Sequence, residues 1–172
     1  MNNKTKLFAA AVALMAAGSC HAQAQTQTQT LSKGDQRILS DLAQANISEV
    51  AAANIALKKS ENADVKKFAQ QMVDDHTKGL QEVQQVAQSK SVTLPTEPDA
   101  KHKKMADRLN SLSGAAFDKE YLANAGVKDH KEAHQKVVSA QKKATDPDVK
   151  ALAAKLQPTI DQHLQNVQPM AR

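Results

Sequence analysis

The sequence predicts an all-α protein: a four-helix bundle made of two helical hairpins, joined by a long crossover that carries a short extra helix. Three observations predict it. Helix formers (Ala, Gln, Lys and Leu) dominate a chain of 172 residues that has only 5 Gly and 5 Pro. Apolar residues recur at steps of three and four over long segments. The chain also contains an internal repeat, in which residues 42–49 match 122–129 and residues 64–66 match 148–150.

Composition excludes several other classes of protein. A single Cys excludes a disulfide scaffold. An aromatic content of 2% leaves too few rings for a platform that stacks bases. The formal net charge of +5 is modest, and part of it lies in the first few residues. We therefore expect no nucleic acid among the partners.

The N-terminus predicts export. Lys4 and Lys6 precede an apolar run over residues 7–17, and small residues lead to Ala22. A positive start, a short apolar core and a small-residue cleavage site are typical of a secretory signal peptide, here residues 1–22. This interpretation places the protein in the periplasm.

A second interpretation of the same segment stays open. Residues 17–20 resemble a lipoprotein cleavage box, with Ala17 where that box usually has Leu. Cleavage there would leave a lipid anchor on Cys20 and hold the protein at the outer membrane. Both interpretations export the chain. No later run of about 18 apolar residues follows, so we expect no transmembrane span in the mature chain.

The elements follow in order along the chain. Residues 23–32 are rich in Gln and Thr and predict a disordered leader. The bundle domain then covers residues 33–168. Its predicted helices begin near Ser32 or Asp35 and run to 60, then cover 64–89, 99–112 (short), 116–144 and 147–167. Pro95 and Pro98 end the second helix, and 26 residues from 90 to 115 are enough to run back along the bundle.

Several polar residues lie on the apolar stripes of these helices. They are Glu49, His76, His130, His134 and His163. Counting about 1.5 Å per residue from each turn places all of them near the middle of the bundle. Buried carboxylates and imidazoles need partners, because an unpaired one is costly or changes its pKa. We expect these side chains to meet.

One interpretation of this layer is a metal site. His130 and His134 are four residues apart and share one helix face, and such a pair suits Zn, Cu or Fe. Asp75 and Asp129, each next to a His, are able to orient rings or supply oxygen ligands. The candidate ligands for a single ion are Glu49, His76, Asp129, His130, His134 and His163. The other interpretation is a set of structural hydrogen bonds with no metal.

Three segments resemble the bacterial domain-of-unknown-function family DUF4142. They are residues 68–76, which read FAQQMVDDH, residues 117–121, which read FDKEY, and His163 followed by Leu164. The resemblance covers about Lys33 to Val167. It implies an exported protein, of a kind often described as a predicted outer membrane protein, with a ferritin-like bundle fold. It implies no established activity.

A ferritin-like fold raises the question of a di-iron site, which needs a Glu on two helices and Glu-x-x-His on the other two. Glu49 and Asp129 match the first pair of positions. Three residues before His76 and His163, however, the chain has Val73 and Ile160. Both bridging carboxylates are missing, which disfavours a redox enzyme of that kind.

The sequence therefore predicts a non-catalytic, exported helical protein of the cell envelope, with no catalytic residues and no cofactor. A protein of the envelope is the candidate partner. The first alternative is a periplasmic metal-binding protein that uses the buried His and Glu side chains. The second alternative is a degenerate ferritin-like redox enzyme.

Overall fold

The computed structural model describes residues 30–172, and over this range all the regular structure is helical. The all-α prediction is confirmed. The predicted signal peptide and most of the leader lie outside the described residues. The helices are α1 (Lys33–Lys59), α2 (Ala63–Ser89), α3 (Ala100–Asn110), α4 (Gly114–Tyr121), α5 (His130–Lys143) and α6 (Pro147–Val167), with a π-helical segment (Leu122–Asp129) between α4 and α5.

The two hairpin turns are capped in the same way. Asn62 Oδ1 accepts the backbone N–H of Asp64 at 2.9 Å and that of Val65 at 3.3 Å. Asp146 Oδ1 accepts the corresponding N–H groups at the start of α6, at 2.9 and 3.2 Å. Such caps satisfy N–H groups that have no partner inside the helix. The internal repeat of the sequence thus extends to the start of the second helix of each hairpin.

The helices pack as two hairpins, α1 against α2 and α5 against α6, with further contacts between α2 and α6 and between α1 and α5. Contacts at the helix ends fix the direction of the chain. At the start of α1, Asp35 bonds to Thr145 in the α5–α6 turn. At the end of α1, Lys59 bonds to the carbonyl of Asn110, which ends α3. The crossover therefore returns the chain to the end of α1 before α4 begins.

A layer of polar side chains divides the core into two apolar clusters. One cluster includes Leu39, Val83 and Val149, and the other includes Phe68 and Tyr121. Between them, every long helix contributes buried polar residues, namely Asn46, Glu49, His76, Asp129, His130 and His163. An apolar layer there would avoid the cost of burying polar groups. The polar layer is the feature of the fold that calls for a chemical explanation.

The structure corrects two expectations about the elements. The helix predicted over 116–144 is continuous, but its middle is the π-helical segment. The leader predicted over 23–32 ends early, because Leu31 is buried in the first apolar cluster and Ser32 caps α1 through Asp35 N. Among the helices of residues 30–172, none combines the length and the apolar character needed to cross a membrane.

Asp35 holds the two hairpins together at one end of the molecule. Its carboxylate accepts the backbone N–H groups of Thr145 at 3.0 Å and Asp146 at 3.2 Å, and also the hydroxyls of Thr145 and Ser32. Burial alone would raise the pKa of Asp35, but these hydrogen bonds outweigh it and hold the pKa below its ordinary value. The ionised carboxylate is thus the stabilising form.

We expect Asp35→Ala to lower the free energy of unfolding by about 2–3 kcal/mol, because it removes the charged acceptor of the part-buried N–H groups of Thr145 and Asp146. Urea unfolding at pH 7 measures this. Since the pKa is lowered, the contribution is present above the unfolded-state value and is lost as the pH falls through the folded-state value. Asp41→Ala, an exposed change on the same helix, is the control. Equal losses in the two variants would contradict the role of Asp35.

Candidate metal centre

Three histidines from three helices meet in the polar layer. They are His76 of α2, His130 at the first position of α5, and His163 of α6, all buried. Their ring centroids are 5.2–5.3 Å apart in all three pairs. His130 Nε2 lies 3.3 Å from His76 Nε2 and 3.2 Å from His163 Nδ1. One nitrogen of each ring thus points to a common centre, and these three nitrogens lie within 4.8 Å of one another.

The other nitrogen of His76 points away from this centre to a side-chain amide on α1. His76 Nδ1 is 3.0 Å from Asn46 Oδ1. The orientation of the Asn46 amide is set by its own nitrogen, which donates to the carbonyl of Leu42 at 2.8 Å. The amide oxygen only accepts, so His76 carries its hydrogen on Nδ1. Its Nε2, which faces the centre, has a free lone pair.

His130 is held in the same way by the backbone. Its Nδ1 is 3.0 Å from the carbonyl oxygen of Ala125, five residues earlier in the π-helical segment. A carbonyl cannot donate, so the hydrogen of His130 lies on Nδ1 and the lone pair on Nε2. π-helical turns within α-helices are frequent at functional sites. Here the turn ends at the residue that supplies the central ring.

His163 uses the opposite nitrogen. Its Nε2 lies 2.9 Å from the Asp75 carboxylate, so Nε2 carries the hydrogen and Nδ1 faces the centre. A histidine that binds a metal through one nitrogen commonly donates from the other to a carboxylate or a carbonyl, which fixes the ring and raises its basicity. All three rings have such an acceptor: an amide oxygen, a backbone carbonyl and a carboxylate.

Three lone pairs therefore converge with no hydrogen between them. Unprotonated nitrogens 3.2–3.3 Å apart repel each other, and a cation at the centre would turn this repulsion into attraction. A proton is a poor candidate near neutral pH. Burial lowers the pKa of His76 well below its ordinary value, that of His130 to about 4, and that of His163 as well, where the Asp75 hydrogen bond opposes the effect. A metal ion is the cation that suits neutral imidazoles.

Two of the three nitrogen separations fit such an ion, and the third is at most 4.8 Å. Metal–imidazole bonds of about 2.0–2.1 Å at tetrahedral angles place the ligand nitrogens about 3.3–3.4 Å apart. The two shortest separations in the cluster are 3.3 and 3.2 Å. Three imidazoles also leave a fourth position for water or another ligand, as zinc sites with three protein ligands do.

The two predicted carboxylates have different surroundings. Glu49 Oε1 lies 3.6 Å from His130 Nδ1. Burial raises the pKa of Glu49 well above its ordinary value; the charge of Asp129 raises it further, and Lys101 opposes both. Asp129 instead faces the crossover, with Lys101 Nζ at 3.1 Å and His102 Nε2 at 3.7 Å. The structure brings Glu49 to the edge of the cluster and pairs Asp129 with α3.

His134 is not part of the cluster. It is partly exposed, and its Nε2 lies 3.4 Å from Asp161 Oδ1. The reason is geometric, because residues four apart on a helix share a face but differ in height by about 6 Å. Only one of His130 and His134 is able to reach the level of the other two rings.

A cavity of about 290 Å³ lies beside the cluster. Its lining includes His76, His130, Glu49, Asp129 and His102. Two of the three converging rings and the nearby carboxylate are thus reached from the same space. The cavity has room for a further ligand beside these two rings.

Sequence reasoning did not single out Asn46, the carbonyl of Ala125 or Tyr121. Asn46 could have been found from the sequence, because it is a polar residue about one turn before Glu49 on the inner face of α1. The Ala125 carbonyl had none, since its position depends on the π-helical segment. Tyr121 is buried with its hydroxyl unpartnered among the described residues, and burial raises its pKa, with a further contribution from Glu49.

Fold and site together define an all-α protein with a buried cluster of three convergent histidines. The chain belongs to the family described as domain of unknown function (DUF4142), whose model matches residues 20–170. The predicted membership is confirmed. The comparison with curated proteins finds no match.

Three solved structures share the helical fold. The DUF305 fragment from Deinococcus radiodurans has a TM-score of 0.72 at 13% identity, covering 82% of this chain and 97% of that one. CopM in the Cu(II)-bound form has a TM-score of 0.66 at 18% identity, with coverages of 80% and 95%. CopM in the Cu(I)-bound form has 0.65 at 16%, with coverages of 79% and 94%. At these identities the likeness concerns the fold alone.

Proposed function

We propose that this protein is an exported, non-catalytic metal-binding protein that holds one transition-metal ion between His76, His130 and His163. The convergence of three buried, unprotonated nitrogens carries the proposal. Each ring presents a lone pair because its other nitrogen donates to an acceptor that cannot donate back. A set of purely structural hydrogen bonds would place a hydrogen between neighbouring rings instead.

Copper is the first ion to test. Imidazole ligands suit Zn, Cu and Fe. Among the divalent ions of this series, Cu²⁺ binds a given nitrogen site most tightly. Two of the structures that share the fold are of a protein described in Cu(II)-bound and Cu(I)-bound forms. That description concerns CopM, and for the present chain it only makes copper the first ion to test. Zinc is the alternative occupant of the same three nitrogens.

The proposal includes a ferritin-like arrangement of the helices. The end contacts described above indicate that α1 and α6 run in the same direction. They also indicate that α2 runs in the opposite direction, together with the continuous helix over 114–143. A long crossover between two antiparallel hairpins is the topology of ferritin-like folds. The site nevertheless differs from a di-iron centre, because Val73 and Ile160 occupy the positions that would supply bridging carboxylates. This difference favours a single ion over a redox pair.

Location is the last part of the proposal. The signal peptide over 1–22 would deliver the chain to the periplasm, and a lipid on Cys20 would instead hold it at the outer membrane. A protein that holds copper there would buffer the ion or pass it to a partner protein of the envelope. The side cavity at His76 and His130 supports such exchange.

The test uses the full chain without a polyhistidine tag, expressed with its own leader and recovered from the cell envelope of a bacterium grown with added copper or zinc. We expect about one metal ion per chain, with copper displacing zinc in competition. The mass of the recovered chain shows whether it begins at residue 23 or carries a lipid on Cys20.

Melting curves give an independent readout. An ion present at about 100 times its dissociation constant adds about 2.7 kcal/mol to the stability of the folded chain. Envelope protein that retains no metal, and whose melting temperature does not change with copper or zinc, would overturn the proposal. Recovery of the unprocessed chain from the cytoplasm would overturn the location.

A further inference from the structure

We infer that α1, which supplies no nitrogen to the cluster, selects the nitrogen of His76 that faces the metal, through Asn46 and a space left for it by Gly79. Both are positioning residues, since they act through His76. The inference rests on the proposed function for its consequence on metal affinity. The selection itself is a property of the metal-free chain and is measured separately.

The Asn46 amide is fixed at both ends. Its nitrogen donates to the Leu42 carbonyl at 2.8 Å, and its oxygen accepts from His76 Nδ1 at 3.0 Å. A flipped amide would place oxygen against the carbonyl and nitrogen against the Nδ1 hydrogen, and it would lose both bonds. The side chain is only 6% exposed, so losing either bond would leave a largely buried polar group without its partner.

Gly79 makes room for this amide. A Cβ atom at position 79 would lie 2.6 Å from Asn46 Oδ1 and 3.4 Å from Asn46 Cγ. The amide is held at both ends and is not a free side-chain tip, so it has no easy way to yield. Gly79 lies in the middle of α2, where glycine is the second-worst helix former after proline. Its buried position against Asn46 explains the residue better than any demand of the helix does.

The selection matters because the wrong tautomer closes the site. Without an acceptor at Nδ1, the hydrogen of His76 is free to move to Nε2. That nitrogen is 3.3 Å from the lone pair of His130 Nε2. A hydrogen bond between the two rings would then form where the ion binds, and binding would first have to break it. Asn46 prevents this competing bond.

The experiment reads the tautomer directly in the metal-free chain, by ¹⁵N NMR of the histidine rings at pH 7.5. Gly79→Ala displaces the amide, and Asn46→Leu removes the acceptor while keeping a similar size. Asn46→Asp keeps an acceptor oxygen and is the rescue variant. Gly34→Ala is the matched control, because a Cβ there meets only Ser32 Oγ at an ordinary 3.7 Å. Copper and zinc dissociation constants are then measured for the same five proteins, including wild type.

We expect wild type, Gly34→Ala and Asn46→Asp to carry the His76 hydrogen on Nδ1. Gly79→Ala and Asn46→Leu should shift it toward Nε2 and weaken metal binding about 10- to 100-fold, the usual range for groups that orient a ligand. If Gly79→Ala does not fold, Asn46→Leu decides the matter alone. An Nδ1 hydrogen in both of these variants overturns the inference. If wild type binds no metal, the proposed function fails, and the tautomer still decides the positioning role.

Discussion

Replacing His130 with alanine is expected to abolish metal retention. His130 is the central ring of the cluster, since its Nε2 is the nitrogen that lies close to both of the others, at 3.3 and 3.2 Å. Removing it leaves two nitrogens on separate helices, which is too few to hold a buried ion. The metal content of purified protein should fall from about one ion per chain to a trace. The stabilisation by added metal, about 2.7 kcal/mol at 100 times the dissociation constant, should disappear with it.

Two histidines provide matched controls for this prediction. His134 lies on the same helix one turn later and pairs with Asp161, and His102 lies on the crossover beside Asp99 and Asp129. His134→Ala and His102→Ala should retain the ion and its stabilising effect. Loss of metal in His134→Ala, with retention in His130→Ala, would mean that the ion binds at a surface pair and not in the buried cluster.

The helices follow closely from local sequence signals. The predicted helix starts at 64 and 147 agree to within one residue with those of α2 and α6, whose first turns are capped by Asn62 and Asp146. The π-helical segment was not predicted, because the same apolar spacing serves an α-helix and a π-helix over so short a stretch. Gly126 is buried within it, and a Cβ there would lie 2.6 Å from Val167 Cγ2. Close packing against α6 is a tertiary effect that no local pattern reveals.

The height of the candidate site along the bundle was predictable from the sequence, but the contacts of its residues were not. Counting residues from each turn placed Glu49, His76, His130 and His163 at mid-height, and the structure has all four in the polar layer. The count could not separate His130 from His134, because helix ends placed from sequence alone can be wrong by about one turn. It also could not show which nitrogen of each ring faces inward. That depends on acceptors from α1, the π-helical segment and α2, which only the fold brings together.

Acid is expected to destabilise the metal-free chain between about pH 6.5 and pH 4. Burial is the main reason that the pKa of His130 falls from 6.5 to about 4. Burial also lowers the pKa values of His76 and His163. In this window the unfolded chain binds protons that the folded chain does not bind, so the free energy of unfolding falls as the pH falls. For His130 alone the shift corresponds to about 3 kcal/mol. Urea unfolding in the presence of a chelator, at a series of pH values, measures the fall.

The titration of Glu49 changes the stability in the opposite direction, so its contribution has to be separated from that of the histidines. Its pKa is raised, chiefly by burial. Above the unfolded value of 4.5 the unfolded chain therefore ionises while the folded carboxyl stays protonated, and the stability falls as the pH rises. Glu49→Gln should therefore make the acid loss steeper, and His130→Ala should make it shallower by about one proton. Asp35 does not interfere, because its lowered pKa moves its contribution below 3.8. A flat profile in Glu49→Gln between pH 6.5 and pH 4 would show that the three rings accept protons in the folded chain. The converging lone pairs would then serve a proton and not a metal ion.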